Sequence, residues 1–516
     1  MSEALPVPPE RELDALFASY VEAGQARGLV YGMVTPSALG HARGVGVVDE
    51  LGRRPSVDTV FPIASMSKSF VAAATLIARD RGYLRLDDPI VEHVPELRFK
   101  GPEVEPGVAP TIEMLLGMCG GLTEDNSWVD PFIDLATEDL LATLASGIRL
   151  SRPPGTAYEY SNLGYGLVGL ALSRVAGRPL GDLVRDELLV PLGLTRTFFD
   201  DAVPDEVERA VGFHLDHDGG WVAYPPKSSD AFAAAGGITS TVRDLARWTS
   251  WLGAAFRPPG GDDPEVLSRA SRRDLQRVRI AIPPALSVER DGSIRVAAGG
   301  YALGLVVSSD LRHGTFVSHA GGLPGFRLYM RWHPSSGYGI VVLTNSHRGD
   351  PSALADNALG RILLREEVPA ARVTLWPETA TLREAAERLI RSWDDSLASQ
   401  ILAGNVDFDR PLTERRAEIE RSVAEIGPLA APRPDVEVVS STSPADVTWS
   451  IPATNGELLC MIHLTPVEPA RIQEIAVRAF PTSWPRGSRP SDISARRARL
   501  GDAIVSPMTN MRVELS

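Results

Sequence analysis

The order of strand-like and helix-like segments constrains the fold of this chain of 516 residues more than any other feature of its sequence. An amphipathic helix comes first, with apolar residues at helical spacing from Leu13 to Val21. Two apolar runs, 29–34 and 44–48, flank a stretch rich in Pro, Ser and Gly, which predicts a hairpin. Strand-like runs return only much later, at 296–307, 315–318, 326–333 and 338–344. The strands of one sheet are therefore expected to come from both sides of a long intervening segment.

That intervening segment is mostly helical in its pattern. Apolar residues recur at helical spacing over 65–79, 112–118, 138–145, 163–175 and 180–189. A further helix over 351–365 would close the unit. The succession of strands, helices and strands predicts an α/β fold in which a sheet is interrupted by a helical insertion over about 65–235.

Beyond this unit a second, smaller domain is predicted. Residues 367–376 are typical of a linker, which divides the chain into a first domain, 1–366, and a second domain, 377–516. Amphipathic helices are predicted over 381–402 and 411–426, followed by strands over 436–439, 447–451, 457–464 and 472–480. These helices do not suit an all-β barrel, so we predict an α+β domain, with an irregular loop over 481–499.

The charge balance and the cysteines exclude several classes of function. The chain has 66 acidic and 52 basic residues, and its net charge of −14 has the wrong sign for a surface that neutralises nucleic-acid phosphates. Cys119 and Cys460 lie far apart and outside any CxxC pattern, so we expect neither a disulfide framework nor a thiolate zinc site. The sequence shows no apolar signal segment and no run of about 18 apolar residues. We expect a cytoplasmic protein that binds neither nucleic acid nor membrane.

Ser65-Met66-Ser67-Lys68 stands at the start of a predicted apolar helix, directly after the strand-like residues 60–63. Positions i and i+3 share a helix face, so the Ser65 hydroxyl and the Lys68 amine come within hydrogen-bond reach. A neutral lysine can accept the serine proton, whereas arginine stays charged because its pKa lies above about 12. Lysine is scarce here, since the basic residues include only Lys68, Lys100 and Lys227 as lysines. A plain helix N-cap is the alternative role for Ser65.

Two further segments carry polar groups suited to catalysis. Tyr160-Ser161-Asn162 precedes another predicted helix. A tyrosine near a lysine can relay a proton, and an asparagine amide can bind a substrate carbonyl or the lysine. Taken alone, however, this segment is better explained as a turn with a helix cap. His319-Ala320-Gly321-Gly322 follows the strand-like residues 315–318. Glycines in a strand let a ligand approach the backbone, and the N–H of Gly322 is a candidate for half of an oxyanion hole.

Taken together, SxxK, YxN and HxG in this order resemble the serine β-lactamase and penicillin-binding protein superfamily, and most of all its branch of class C β-lactamases, D-aminopeptidases and family VIII esterases. The resemblance covers about residues 12–365 and includes the flanking segments 58–65, 82–89, 236–241 and 322–326. It implies an antiparallel sheet flanked by helices, with an all-helical insertion over the cleft. It also implies Ser65 as the acylated nucleophile, Lys68 and Tyr160 as general base and acid, and Asn162 as a ligand of the substrate amide. The N–H groups of Ser65 and Gly322 would form the oxyanion hole, beside His319 and Gly321.

Two positions depart from the family pattern. Many members have a lysine-threonine-glycine triad where this chain has His319, and a histidine near its unperturbed pKa of about 6.5 is mostly neutral at pH 7. Weaker attraction for a substrate carboxylate favours peptidase, esterase or acyl-transfer activity over β-lactam or D-Ala-D-Ala specificity. Residues 118–122 also differ from the histidine-threonine-serine-glycine form, so Cys119 either lines the cleft or is a buried packing thiol.

Three further patterns predict no site. The GxGxxG match over 164–169 lies in a helical segment instead of following a strand, so we expect no dinucleotide site. His214 and His217 have metal-like spacing but lie in a loop rich in Asp and Gly, with no third ligand nearby. The chain has no GxSxG, which argues against an α/β-hydrolase.

The sequence therefore predicts a serine hydrolase that forms an acyl-enzyme on Ser65 and cleaves a small amide, peptide or ester, without cofactor or metal. An acyltransferase or peptide cyclase, in which an amine attacks the acyl-enzyme, is the first alternative. A β-lactamase and a non-catalytic scaffold that kept the fold are the others. The expected partner is a small molecule or a short peptide, and the sequence leaves the oligomeric state open.

Overall fold

The structure, a computed structural model, describes residues 9–100, 108–129, 133–225, 228–259, 265–288, 294–310, 313–368, 373–432, 438–441 and 443–482. The chain divides at residue 368 into two compact units. This point lies within the predicted linker, 367–376. The loop predicted over 481–499 lies outside the described residues from 483 onward, and so does Lys227.

The first unit combines twelve helices with fifteen strands among its described residues. The helices are α1 (Pro9–Glu22), α2 (Ser67–Asp80), α3 (Ile90–His93), α4 (Ile112–Leu116), α5 (Asn126–Val129), α6 (Thr137–Ser146), α7 (Asn162–Ala176), α8 (Leu180–Val184), α9 (Ala233–Gly236), α10 (Val242–Ala254), α11 (Arg269–Leu275) and α12 (Pro351–Arg365). The strands are β1 (Gly28–Val34), β2 (Leu39–Gly46), β3 (Phe61–Pro62), β4 (Phe99–Lys100), β5 (Ile148–Arg149), β6 (Phe198–Phe199), β7 (Phe213–Leu215), β8 (Trp221–Ala223), β9 (Ile238–Ser240), β10 (Ile280–Val288), β11 (Ile294–Tyr301), β12 (Val306–Asp310), β13 (Gly314–Leu323), β14 (Phe326–Trp332) and β15 (Gly339–Thr344). A 3₁₀ turn, Ala64–Met66, leads into α2, and a π-helical stretch, Arg185–Leu189, continues α8.

One antiparallel sheet of eight strands organises this unit, in the order β10-β11-β12-β13-β14-β15-β1-β2. The N-terminal hairpin joins the later strands through β1 and β15, where Leu29 opposes Thr344. The segment between β2 and β10 carries α2 to α11 together with short strands of two or three residues. The predicted fold, an antiparallel sheet flanked by helices with a helical insertion, is confirmed.

Helices cover both faces of the sheet, because successive residues of each strand point to opposite sides. The outer face packs on α1 and α12, where the rings of Phe17 and Tyr31 stack with centroids 3.9 Å apart. The inner face, which includes Val30 and Leu328, belongs to the same core as α2 and α10. Residues 67–78 of α2 are all buried, so this helix runs through the core and its polar side chains are withdrawn from solvent.

The strand predictions need three corrections. Strand β2 begins at Leu39 instead of 44, and most of its side chains are half-exposed, so it lacks an apolar run. The segment 296–307 holds parts of two strands, β11 and β12, separated by a turn in which Gly304 has a φ of +70°. Strand β10 is not predicted from the sequence, because Pro283 and Pro284 interrupt its run of strand-forming residues. It lies at the edge of the sheet, where prolines are tolerated.

The second unit is an α+β domain, as predicted. Its helices are α13 (Pro377–Arg391), α14 (Asp395–Ile401), α15 (Gly404–Asp409) and α16 (Leu412–Ile426), and its strands are β16 (Val438–Ser440), β17 (Asp446–Ala453), β18 (Gly456–Leu464) and β19 (Ile472–Pro481). These strands form an antiparallel sheet in chain order. The prediction of one helix over 381–402 is wrong, because Ser392 is extended and Asp394 starts a new helix by accepting the Leu397 N–H at 2.8 Å.

Candidate active site

The turn before α2 brings Ser65 to the edge of the core. Ser65 is half-buried, whereas Ile63, Ala64 and Met66 around it are buried. Ala64 has a φ of +49°, a left-handed conformation that is costly for a residue with a Cβ atom. Surrounding contacts hold it, among them the hydrogen bond that the Ile63 N–H donates to the Ile238 carbonyl at 2.9 Å. The strained turn thus leaves the Ser65 hydroxyl accessible while the residues on either side of it are buried.

Lys68 lies one helical turn after Ser65 and is completely buried. Its Nζ lies 3.0 Å from Ser65 Oγ, 2.7 Å from Asn162 Oδ1 and 2.8 Å from the Ala235 carbonyl oxygen. The Asn162 amide is oriented by its Nδ2, which donates to Asn126 Oδ1 at 2.8 Å. The Asn162 and Ala235 oxygens only accept hydrogen bonds, so a neutral amine gives its two protons to them and turns its lone pair toward Ser65 Oγ. The geometry therefore suits proton transfer from Ser65 to Lys68.

The Ala235 carbonyl reaches Lys68 because the short helix α9 packs closely against α7. A Cβ atom on Gly169 of α7 would lie 2.6 Å from the Ala234 Cβ, which is closer than two such atoms approach. Gly169 belongs to the GxGxxG match over 164–169, which lies inside α7. These glycines serve helix packing, and this packing keeps the Ala235 carbonyl against α2.

A buried carboxylate, which no sequence motif marks, holds the start of α7. Asp125 is 7% exposed and accepts hydrogen bonds from the N–H groups of Asn162 (2.7 Å) and Leu163 (2.8 Å) and from the Ser161 hydroxyl (2.8 Å). Burial raises the pKa of Asp125, and these hydrogen bonds and the charge of Lys68 oppose that rise. Asp125 thus fixes the backbone of Asn162, whose side chain contacts Lys68.

Tyrosine rings enclose the Lys68 side chain. Lys68 Nζ lies 5.0 Å from the ring centroid of Tyr160 and 5.5 Å from that of Tyr165, and Tyr160 packs edge-on against Tyr301 with centroids 6.2 Å apart. Burial raises the pKa of Tyr165 and of Tyr301 well above the usual value, so both remain phenols. Tyr160 is half-buried while the other two are completely buried. Tyr160 is therefore the tyrosine of this group that a substrate can meet.

His319 lies on the inner face of β13 and is neutral. Its Nδ1 lies 2.6 Å from the Ala320 carbonyl oxygen and its Nε2 lies 2.9 Å from the Tyr301 hydroxyl. A carbonyl only accepts, so the proton belongs on Nδ1, and Nε2 accepts from Tyr301. Burial and the charge of Lys68 lower the pKa of His319 to about 3, against the opposing hydrogen bond to Ala320. A pKa near 6.5 was expected from the residue type alone, and the burial of the ring corrects it: His319 carries no charge at pH 7.

Strand β13 passes directly beside the Ser65 turn. A Cβ atom on Gly321 would lie 2.5 Å from the Ile63 carbonyl oxygen and 3.3 Å from the Ala64 Cβ. Side chains larger than hydrogen would push the strand and the turn apart. Gly321 is therefore required for the approach of the two segments, and it brings the backbone of the next residue, Gly322, close to the turn.

Beyond Ser318 one edge of β13 is open. Strand β12 pairs with β13 only from Gly314 to Ser318, and within the described ranges no other strand continues that ladder. On its other side β13 pairs with β14 up to the two-residue turn at 324–325. Hydrogen-bonded and non-bonded pairs alternate along an antiparallel ladder, so counting from this turn directs the N–H of Gly322 away from β14 and toward the open edge. The N–H of Gly322 thus points toward the open edge of β13, as a donor of the predicted oxyanion hole must.

Comparison with known proteins agrees with this geometry. A family model described as Beta-lactamase matches residues 13–365, which is more than half of the chain. The chain belongs to the β-lactamase family. The resemblance inferred from the motifs is confirmed, and Ser65, Lys68, Tyr160 and His319 all lie within the matched residues.

Several proteins are similar to this member of the β-lactamase family. A D-aminopeptidase from Cereibacter sphaeroides is 28% identical over 403 residues, which cover 73% of this chain and 68% of that protein. Protein flp from Staphylococcus aureus is 27% identical over 338 residues, covering 65% of this chain and 63%, less than two thirds, of flp. The solved structure of an octameric penicillin-binding protein homologue from Pyrococcus abyssi superposes with a TM-score of 0.59 at 18% identity, over 90% of this chain and 99% of that chain. At this identity the superposition shows the fold alone.

The other positions singled out in the sequence take no part in this site. Cys119 is 7% exposed and burial raises its pKa to about 11, so it is a packing thiol, as is the buried Cys460 of the second unit. His214 lies on β7, whereas His217 lies in the exposed turn after it. Among the residues that the structure describes, no group of three or more His, Cys, Asp and Glu side chains could hold a metal ion. In the same part of the chain, no helix has the length and apolar character to cross a membrane.

Proposed function

We propose that this protein is a serine hydrolase that forms an acyl-enzyme on Ser65 and cleaves a small amide, peptide or ester. One observation carries the proposal: Lys68 Nζ lies 3.0 Å from Ser65 Oγ, while two oxygens that only accept hold the remaining amine protons. Membership of the β-lactamase family supports it, and the similarity to a D-aminopeptidase favours a D-amino-acid amide or a short peptide as substrate.

In the proposed acylation, the lone pair of Lys68 takes the proton of Ser65 as Oγ attacks the carbonyl carbon of the substrate. The N–H groups of Ser65 and Gly322 stabilise the negative charge that develops on the carbonyl oxygen. Collapse of the tetrahedral intermediate breaks the bond to the leaving amine or alcohol, which receives a proton from Lys68 through Tyr160. Acylation thus needs one group that first accepts a proton and then donates it, and Lys68 is that group.

Both ends of the Asn162 amide are occupied in this structure, by Lys68 and by Asn126. We therefore assign Asn162 first to positioning the Lys68 amine, and binding of a substrate amide by Asn162 requires that one of these contacts be exchanged. Deacylation reverses the order of proton transfers, with water in place of the leaving group. When an amine attacks in place of water, the same site performs acyl transfer.

Covalent labelling tests the nucleophile. A fluorophosphonate is expected to add once to the wild-type protein, with peptide mapping placing the adduct on Ser65, and Ser65→Ala is expected to lose both the label and turnover. Ser67 cannot replace Ser65, because it is completely buried and its Oγ accepts the Ile238 N–H at 3.1 Å. Ser37→Ala removes an exposed hydroxyl and is the matched control, which keeps the label. An unlabelled wild type, or a label that survives in Ser65→Ala, would refute the proposal.

A substrate panel separates the reaction types. A chromogenic ester and a D-amino-acid amide are expected to turn over faster than a cephalosporin, because His319 offers no charge to the cephalosporin carboxylate at pH 7. Each substrate is also tested with an added amine, and products are identified by mass. A transfer product that dominates in dilute amine would assign the protein to acyl transfer, and faster cephalosporin turnover would assign it to β-lactam hydrolysis.

A further inference from the structure

Gly237 joins the two segments that hold the nucleophile and its proton acceptor. It directly follows α9, in which the Ala235 carbonyl oxygen lies 2.8 Å from Lys68 Nζ. It directly precedes β9, in which the Ile238 carbonyl accepts the Ile63 N–H at 2.9 Å and so anchors the turn before α2. A displacement of Gly237 would therefore disturb both contacts of the site at once.

Asp200 and Ser229 hold Gly237 in place. The Asp200 N–H donates to the Gly237 carbonyl at 2.9 Å. A Cβ atom on Gly237 would lie 2.1 Å from Ser229 Oγ, so this hydroxyl rests directly against the Gly237 backbone. Ser229 Oγ in turn donates to Asp200 Oδ2 at 3.0 Å. The carboxyl group of Asp200 thus fixes the hydroxyl that packs on Gly237, while its N–H fixes the Gly237 carbonyl.

The charge of the Asp200 carboxyl changes near neutral pH. Burial raises the pKa of Asp200 to about 7, against the hydrogen bond from Ser229 and the charge of Arg209, and the charge of Asp201 adds to the rise. An ionised carboxylate accepts a stronger hydrogen bond than a neutral carboxyl group does. The contact between Asp200 and Ser229 is therefore stronger above pH 7 than below it.

The other charged groups around this contact are already bound to neighbours. They line a cavity of about 680 Å³ beside it. Asp182 Oδ1 accepts from Arg185 Nη1 at 2.6 Å, and Asp230 Oδ1 accepts from the Thr137 hydroxyl at 2.8 Å. Asp200 itself is half-buried, so solvent protons can reach its carboxyl group.

We propose that Asp200 is a positioning residue for acylation, which acts on Lys68 through Ser229. This role rests on the serine hydrolase function proposed above. Ionised Asp200 fixes the Ser229 hydroxyl against Gly237, and Gly237 keeps the Ala235 carbonyl on Lys68. The lone pair of the Lys68 amine then points toward the nucleophile. Protonation of Asp200 weakens this arrangement, so acylation slows as the pH falls through the range in which Asp200 titrates.

Asp200→Asn tests this role, because asparagine keeps the shape of the side chain and an acceptor oxygen but stays neutral at every pH. Acylation by a neutral chromogenic ester is measured by pre-steady-state kinetics across this pH range, and the wild-type rate is divided by the rate of the variant. Titration of Lys68 affects both proteins and cancels from this ratio. The ratio is expected to rise from about one below pH 6 to about three to ten above pH 8, the difference between a hydrogen bond to a charged and to a neutral group. A merely structural role would give the same ratio at every pH.

Asp201→Asn is the matched control, since it removes the exposed carboxylate next to Asp200 and changes the net charge equally. Divided by the rate of Asp200→Asn, its rate is expected to show the same rise with pH. The midpoint of that rise is expected to lie at a lower pH than in the wild type, because the charge of Asp201 no longer raises the pKa of Asp200.

Ser229→Ala removes the link between the carboxyl group and Gly237. Against the wild type it is expected to give the same pH-dependent ratio, which keeps the test decisive if Asp200→Asn fails to fold by circular dichroism. In the Ser229→Ala background, Asp200→Asn is expected to change the rate less than about twofold at any pH, because the two side chains act as one unit.

The proposal is overturned if the ratio does not change with pH, if Asp201→Asn abolishes the rise, or if Asp200→Asn keeps its full effect in the Ser229→Ala background. In those cases the wild type still hydrolyses the ester and Ser65 still takes the fluorophosphonate label. Failure of the proposed function looks different, since the wild type then neither hydrolyses the ester nor takes the label, and that outcome overturns both proposals.

Discussion

The two faces of β13 beyond Ser318 differ in burial and in how closely they are packed. On the inner face, His319 is 4% exposed with both ring nitrogens hydrogen-bonded, and Gly321 leaves no room for a methyl group against Ile63. On the outer face, Ala320 is exposed and Gly322 meets only the far end of the Arg327 side chain. One short stretch of strand therefore combines a closed side with an open one.

The difference shows where such a site can vary. Reacting atoms must be held to within a fraction of an ångström, and close packing with satisfied hydrogen bonds supplies that rigidity on the inner face. Ala320 and Arg327 on the outer face are exposed, so a substitution there is not expected to move Ser65 or Lys68. A substitution on the inner face is expected to alter the chemistry for every substrate.

The largest effect is expected on the inner side, from Lys68→Arg. Arginine keeps the positive charge but cannot become neutral and accept the Ser65 proton, and loss of a general base typically costs about 10²- to 10⁴-fold in rate. We expect at least about a hundredfold loss of acylation, measured by pre-steady-state kinetics with a neutral chromogenic ester. Tyr160→Phe is expected to lose a similar amount or less.

Lys100→Arg is the control for this experiment. Lys100 is exposed on β4, where it donates to the Ser146 carbonyl, and nothing there requires a neutral amine. Its replacement by arginine is expected to leave the acylation rate unchanged. Retention of more than about a tenth of the wild-type rate in Lys68→Arg would exclude Lys68 as the proton acceptor and leave Tyr160 in that role.

A smaller effect separates the two glycines of β13. Gly321→Ala must displace the strand from the Ser65 turn, and misplacement of reacting groups by about 1 Å can cost on the order of 10²-fold. We expect a loss of about ten- to hundredfold in kcat/KM for a neutral ester. Gly322→Ala meets only a flexible side-chain end, so we expect less than about a threefold loss on the same ester. Circular dichroism establishes that both variants fold, and equal losses would mean that the two faces are not distinct.

The inner face was partly predictable because its central contact is local. Ser65 and Lys68 stand one turn apart on a helix, so their spacing alone fixes their distance. Tyr160 and His319 come from segments far along the chain, and spacing could not place them. Only the resemblance to the β-lactamase family predicted that they would meet Lys68, and the structure does bring the Tyr160 ring and His319 to it.

The remaining contacts of Lys68 left no signal in the sequence. Ala235 contributes a backbone carbonyl, a group that every residue has, and its position depends on helix packing at Gly169. Asp125 follows Glu124 in a polar stretch, and only the folded chain shows which of these two carboxylates is buried under α7.

The smallest expected effect concerns the charge state of the inner face. His319 has a pKa of about 3 when folded and about 6.5 when unfolded, so between these values the unfolded chain binds a proton that the folded protein does not. Lowering the pH therefore favours unfolding, and the stability that this group contributes above pH 6.5 is lost as the pH falls toward 3. Between pH 7 and pH 5 the wild type is expected to lose about 2 kcal/mol more free energy of unfolding than His319→Gln, which has no titrating group there. Urea unfolding at the two pH values measures this difference.

Because His319 stays neutral throughout, the same substitution is expected to lower the profile of kcat/KM against pH without changing its shape between pH 5 and 8. A limb of that profile that disappears in His319→Gln would show that His319 titrates during turnover, and the inner face would then be less closed than its packing indicates.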